Sequence, residues 1–258
     1  MAKADLDGPL QEFKERTRQI REVITAVEAV GKAPDAIATT RPSVDLSQLS
    51  TQTSNTANSM GLIFLASSFE EFVREISVQC ANELVDKYHR LPDSHKHGVR
   101  DAYWRASRDQ MKYVNILSNK LPDPTLLAKL RGALDAQQGF VIGNDPTKLS
   151  GQVFAHHSNN FKPHVVIEIL GRLGITKLVE TMAESTKLKN YFGVTKKDDC
   201  HSRTKAKWIE FYDRRNETVH SLGGASGFAI EIVFGYIEFL ELVAESMKAT
   251  VERTIAAW

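Results

Sequence analysis

The sequence predicts an all-α protein. Three observations lead there. Apolar residues recur at helical spacing over long segments, glycines and prolines punctuate those segments, and no convincing series of alternating strands interrupts them. There is also no repeat at a fixed period of the kind that builds solenoids. The 258 residues suffice for one large domain or two modest ones with a sizeable core. With 42% hydrophobic and 25% charged residues the composition is that of an ordinary soluble domain. A formal net charge of +1 gives no global signal for a polyanion, so any nucleic-acid footprint must come from local clustering. Cys80 and Cys200 form no CxxC pair and no disulfide framework, which fits reduced thiols. No apolar run approaches the ~20 residues needed to span a bilayer, and Met1–Asp7 lacks a signal-peptide core. A cytoplasmic protein is expected.

The elements follow in order. Leu10, Phe13, Thr17, Ile20, Val23 with Ile24, Val27 and Val30 mark a helix over about 9–31, with Gly31 as its stop. Residues 32–54, with Pro34 and Pro42 and no period, read as a tether. A long helix over about 55–90 contains Leu62-Ile63-Phe64-Leu65-Ala66, apolar all round and therefore buried among several helices. Helices are expected over about 98–120 and 124–136, then a loop from Gly139 to Pro146. Val153-Phe154 and Val165-Val166-Ile167 are the two short strand candidates, although 163–173 also reads as a helix. One helix covers about 176–193, and Lys196-Lys197-Asp198-Asp199 reads as a polar link. The last two helices, about 203–222 and 226–256, are parted by a glycine turn at 223–227. The final helix has more apolar surface than one neighbour covers, so a shared core or a dimer interface is expected.

The stretch Arg214-Arg215-Asn216-Glu217-Thr218-Val219-His220 carries the most chemistry. Arginine holds a phosphate through a planar fork, and histidine moves protons near neutral pH. Cleavage of RNA by its own 2′-hydroxyl needs a base, stabilisation of the five-coordinate phosphorus, and an acid for the leaving oxygen. Asn216 and His220, four apart, share a helix face, with Arg215 one position round. A histidine near a helix C-terminus has its cationic form favoured by roughly 0.3–1 kcal/mol, which suits a general acid. One Arg–His pair supplies at most two of the three roles, so a symmetric partner would complete the set. From Lys196 to Arg215 seven Lys/Arg face four Asp/Glu, a local excess that favours a polyanion. Such a helix is also commonly just a solvated surface.

Arg215-Asn216-Glu217-Thr218-Val219-His220 resembles the Arg-(Asn/Asp/His)-xxx-His signature of the HEPN superfamily. Leu62 to Val73 is similar to the first core helix of the RiboL-PSP-HEPN branch and one allied to it, and Asn159-Asn160-Phe161-Lys162-Pro163 is similar to that branch as well. The likeness covers roughly residues 55–250 and implies a HEPN-like helical bundle with an extra helical insert at about 95–158, after an N-terminal helix and linker over 1–54. It implies a metal-independent endoribonuclease, without cofactor, whose two motifs meet in a homodimer. Such proteins commonly act as toxins or phage-defence effectors with a cognate antitoxin or partner protein. By the resemblance Arg215 polarises the scissile phosphate, His220 is the acid or base, Asn216 orients the histidine or the phosphate, and Glu70 and Arg214 support. Leu222 stands where some HEPN toxins carry a tyrosine that an antitoxin modifies, which puts that regulation in question.

Arg100, Arg105 and Arg108 on the 98–120 helix, with Lys205 and Lys207 ahead of the motif, are candidate RNA contacts. His89, His95, His97, His156 and His157 lack acidic or cysteine partners at zinc spacing and read as surface histidines. Ser67, Ser68 and Ser221 have no nucleophile turn or base partner. A non-catalytic HEPN-type module that binds RNA or protein, and a purely structural helical protein, remain the alternatives.

Overall fold

Ten α-helices carry the chain among the described residues: α1 (Asp7–Lys32), α2 (Thr51–Lys87), α3 (Asp93–Met111), α4 (Pro124–Ala136), α5 (Gly151–Ala155), α6 (Pro163–Gly171), α7 (Leu178–Met182), α8 (Thr186–Phe192), α9 (Lys197–His220) and α10 (Ile230–Ala256). The computed structural model describes residues 4–32, 51–111, 124–220 and 228–258. Most of the expected tether at 32–54, residues 112–120 of the expected third helix, Leu222 and the glycine turn at 223–227 lie outside them. Every regular element among the described residues is helical, so the all-α class holds.

Two compact units divide the chain. One draws on Gly8–Phe72 and Met182–Ser246, the other on Met1–Asp7, Val73–Thr181 and Met247–Trp258. In the first, α1 buries Leu10, Phe13, Thr17, Ile20 and Ile24, a stripe at three- and four-residue steps that passes through Ile24 and leaves Val23 exposed. The Phe13 ring packs against Phe69 at 5.8 Å and Phe72 at 5.6 Å. Gly61 permits the close crossing of α1 and α2, because a Cβ there would lie 2.6 Å from Ile24 Cδ1. Polar clamps fasten α1 to α10: Lys14 pairs with Glu245, which also receives Lys187 of α8, and the Thr17 hydroxyl donates to Glu241.

In the second unit Tyr103 of α3 is fully buried between Phe140 and Phe154, ring centroids at 5.1 and 5.3 Å. Its hydroxyl oxygen accepts from the Ser150 N–H at 3.3 Å. The Arg74 guanidinium of α2 stacks over the buried Phe161 ring at 4.6 Å. Gly174, at φ +84°, turns the chain after α6 in the left-handed region, and a Cβ there would meet His95 Nε2 at 2.4 Å. Both the backbone and the space require glycine.

Four readings are corrected. Residues 176–193 form two helices, because the Ser185 hydroxyl caps a fresh start by accepting from the Leu188 N–H, and Gly193 at φ +62° ends the second. Lys197-Asp198-Asp199 belong to α9, not to a link. Their carboxylates occupy its first turn, where the helix dipole favours them. The expected loop at 139–146 begins as a π-turn, Gln137–Ile142, fastened by Arg100, whose Nε donates to the Val141 carbonyl at 2.9 Å. The strand candidates Val153-Phe154 and Val165-Val166-Ile167 are helical, in α5 and α6, where both apolar pairs point into the core.

Candidate active site

Helix α9 is anchored by Cys200, Thr204, Trp208, Phe211, Tyr212 and Thr218, which are buried at roughly helical intervals. Trp208 meets Phe69 of α2 edge-on at 5.3 Å, and Phe211 meets Tyr236 of α10 at 5.3 Å. Arg203 fixes the start of the helix by donating from Nη1 to the Phe192 carbonyl at 3.0 Å. The opposite side of α9 faces solvent. Ala206, Ile209, Glu210, Asp213, Arg214 and Glu217 line a shallow open concavity of about 540 Å³ there.

Arg215 and Asn216 are half-buried, and His220, the last residue of α9, is exposed. Arg215 Nη1 donates to Asn216 Oδ1 at 3.3 Å, so the two are directly coupled. Arg215 Nε is buried and has no hydrogen-bond acceptor among the described residues. A buried donor without an acceptor costs about 1–3 kcal/mol. Residues five apart on a helix advance about 7.5 Å and turn about 140°. Within one chain, Arg215 and His220 therefore leave the helix in different directions.

Arg214 belongs to a separate network. Glu210 Oε1 accepts from the Tyr236 hydroxyl at 2.7 Å and from Arg214 Nε at 3.2 Å. The Arg214 guanidinium also lies 5.8 Å from the Phe228 ring centroid. The Tyr236 bond, aided by Arg214, holds the Glu210 carboxyl below its ordinary range despite some burial. Burial, reinforced by Glu210, pushes the Tyr236 phenol up. Partial burial works against the Arg214 charge, yet Tyr236 and Glu210 hold it more firmly protonated than usual. The Thr218 hydroxyl donates to the Arg214 carbonyl at 2.8 Å, which ties this network to the last turn of α9.

Of the remaining candidates, Glu70 is half-buried on the turn of α2 that carries Phe69. Lys205 is half-buried on α9. The Lys207 ammonium sits among Tyr191, Tyr236 and Phe239, 5.3–5.9 Å from each centroid, and so packs inward. Arg100, Arg105 and Arg108 are all on α3, in the other compact unit. Arg100 is committed to the π-turn carbonyl, Arg105 pairs with Asp101 at 2.8 Å, and Arg108 is exposed. Sequence reasoning missed Glu210 and Tyr236. Glu210 stands four residues before Arg214, a spacing that signals an ion pair, but Tyr236 lies on another helix with no local signal.

The RiboL-PSP-HEPN family model matches residues 35–253. The chain belongs to this family. HEPN domains are often ribonucleases, and they commonly bind RNA and form dimers. No curated protein and no solved structure matches the chain. The HEPN match begins beyond α1, the helix that packs against Phe69 and Phe72. Among the described residues no helix is long and apolar enough to cross a membrane.

Proposed function

We propose that this HEPN protein is a metal-independent endoribonuclease whose working site is shared by two copies of the chain. The observation that carries the reading is the Arg215 guanidinium: half-buried, bonded to Asn216, and holding a buried Nε donor with no acceptor among the described residues. A non-bridging phosphate oxygen is a fitting acceptor for such a fork. Arg215 stabilises the charge that builds on the phosphorus, and Asn216 orients Arg215. His220 transfers a proton, and Glu70 and Arg214 support the arrangement. Lys205 lies on the approach along α9.

In the reaction the 2′-oxygen bonds to phosphorus as its proton passes to a base. The bond from phosphorus to the 5′-oxygen then breaks as that oxygen receives a proton from an acid. The products are a 2′,3′-cyclic phosphate and a free 5′-hydroxyl. Base and acid are two groups, and one chain offers a single histidine in the motif. A homodimer with facing motifs supplies both. A ribonuclease of this kind in the cytoplasm acts as a toxin-antitoxin or phage-defence effector, held in check by a cognate antitoxin or defence-system partner.

The test incubates purified full chain with an unstructured RNA in the presence of a chelator. Cleavage to cyclic-phosphate ends is expected, with Arg215→Ala and His220→Ala each slower by about 100-fold or more while remaining folded. RNA recovered intact, or variants that cut like the parent, would overturn it. Salt-sensitive binding with intact RNA would indicate a non-catalytic module instead.

A further inference from the structure

The end of α9 that carries the motif has little apolar anchorage. Cys200, Thr204, Trp208, Phe211 and Tyr212 are buried ahead of it, but of residues 213–220 only Thr218 is. Polar contacts fasten this part instead. One oxygen, Glu210 Oε1, accepts from the Tyr236 hydroxyl of α10 at 2.7 Å and from Arg214 Nε at 3.2 Å. The Arg214 guanidinium also lies 5.8 Å from the ring centroid of Phe228, just ahead of α10, and Asn58 Nδ2 of α2 donates to the Phe228 carbonyl at 2.7 Å. Tyr236 is 2% exposed, its ring packed on Phe211 and lying 5.3 Å from the Lys207 ammonium, so its hydroxyl reaches Glu210 from a fixed base.

We propose that Tyr236, acting through Glu210 and Arg214, is a positioning residue that sets the rotation of the last two turns of α9 and so the aim of Arg215 and His220. That these two residues are what is aimed rests on the ribonuclease reading above. A helix end with few buried apolar contacts opens locally at low cost. Hydrogen bonds to an ionised acceptor resist that opening about twice as strongly as neutral ones. Tyr236 and Arg214 approach Glu210 from two helices, so a single carboxylate fixes α9 against α10. The charge around Arg214 favours this brace over a phosphate contact. Glu210, Asp213 and Glu217 line the concavity with it, three carboxylates that repel a polyanion. Aim matters because a displacement of about 1 Å can cost about 100-fold in rate.

The test uses the full chain at a temperature where every variant is folded. Tyr236→Phe deletes only the hydroxyl and is expected to lower kcat for RNA cleavage by about tenfold, with a smaller change in KM. Glu210→Ala removes the shared acceptor and lowers kcat at least as far. Because both act through one oxygen, the double variant is expected to be no slower than Glu210→Ala alone. Phe13→Leu, which loosens the packing of α1 on Phe69 and Phe72, separates positioning from stability: it lowers the melting temperature and leaves kcat unchanged. The proposal is overturned if Tyr236→Phe cuts like wild type, if its loss multiplies with that of Glu210→Ala, or if Phe13→Leu loses kcat in the same proportion to its melting shift. Amide hydrogen exchange over 213–220 reads the brace without any cleavage, and is expected to be faster in Tyr236→Phe than in wild type. If wild-type protein cuts no RNA, the ribonuclease reading falls and exchange alone decides the brace; exchange equal to that of wild type overturns it in either case.

Discussion

Arg215 was legible from its spacing to His220, but its coupling to Asn216 was not, because neighbouring residues on a helix point about 100° apart and only the length of the arginine lets Nη1 reach back to Oδ1 at 3.3 Å. Asn216 accordingly acts through Arg215. A hydrogen bond with a charged donor is worth about 1.5–3 kcal/mol, and at 3.3 Å this one is long, so Asn216→Ala should lower ribonuclease kcat/KM by roughly tenfold. Arg215→Ala removes the charge itself and should cost about 100-fold or more. Parallel kinetics on the two variants check this ordering. If Asn216→Ala is as inactive as Arg215→Ala, the asparagine touches the substrate directly; if it matches wild type, the bond does not position the arginine. The same residue-level view explains why Glu210 and Arg214 form a pair that sequence spacing could have suggested, while Tyr236, which closes the network from α10, could not be found without the fold.

At the level of elements, long amphipathic stretches were read correctly because burial repeats every three to four residues, as in α1 and α9. Short and polar stretches misled. Lys197-Asp198-Asp199 looked like a link because charge was counted without the helix dipole that suits carboxylates to a first turn. The break at Ser185 was missed because a serine cap is a single residue within an otherwise periodic run. The polar clamp on α1 could not be read, because one carboxylate, Glu245, serves two lysines from distant segments. Burial alone would raise the Glu245 carboxyl, but the bonds from Lys14 and Lys187 outweigh it and hold the group below its ordinary range. The folded state then binds its proton less readily than the unfolded chain. The stabilisation is fully present above the usual glutamate range and fades as pH falls through the lowered folded value. Glu245→Gln should therefore lower stability by about 1 kcal/mol near neutral pH, with the gap from wild type closing in acid. Urea denaturation of both proteins across that range measures it; a gap that persists undiminished in acid would mean the clamp is not electrostatic.

At the scale of the whole molecule, the family match over 35–253 fixes the HEPN character of the chain, and α1 lies ahead of the matched residues. Fold class was legible because helical periodicity accumulates over many turns, whereas the completeness of the site is not a property of one sequence. Arg215 and His220 diverge around α9, and a single motif lacks one of the two proton-transfer groups that 2′-hydroxyl attack requires. Sharing between copies makes a quantitative prediction that no single-chain site makes. Wild-type protein is co-refolded with a threefold excess of His220→Ala. Random pairing then leaves about a quarter of the wild-type chains facing another wild-type chain. If both histidines are needed, activity per wild-type chain should fall to about that fraction. If instead each chain works alone, dilution with the variant changes nothing, and an assay showing constant activity per wild-type chain across mixing ratios would rule out the shared site while leaving the roles of Arg215 and His220 open to a one-chain mechanism.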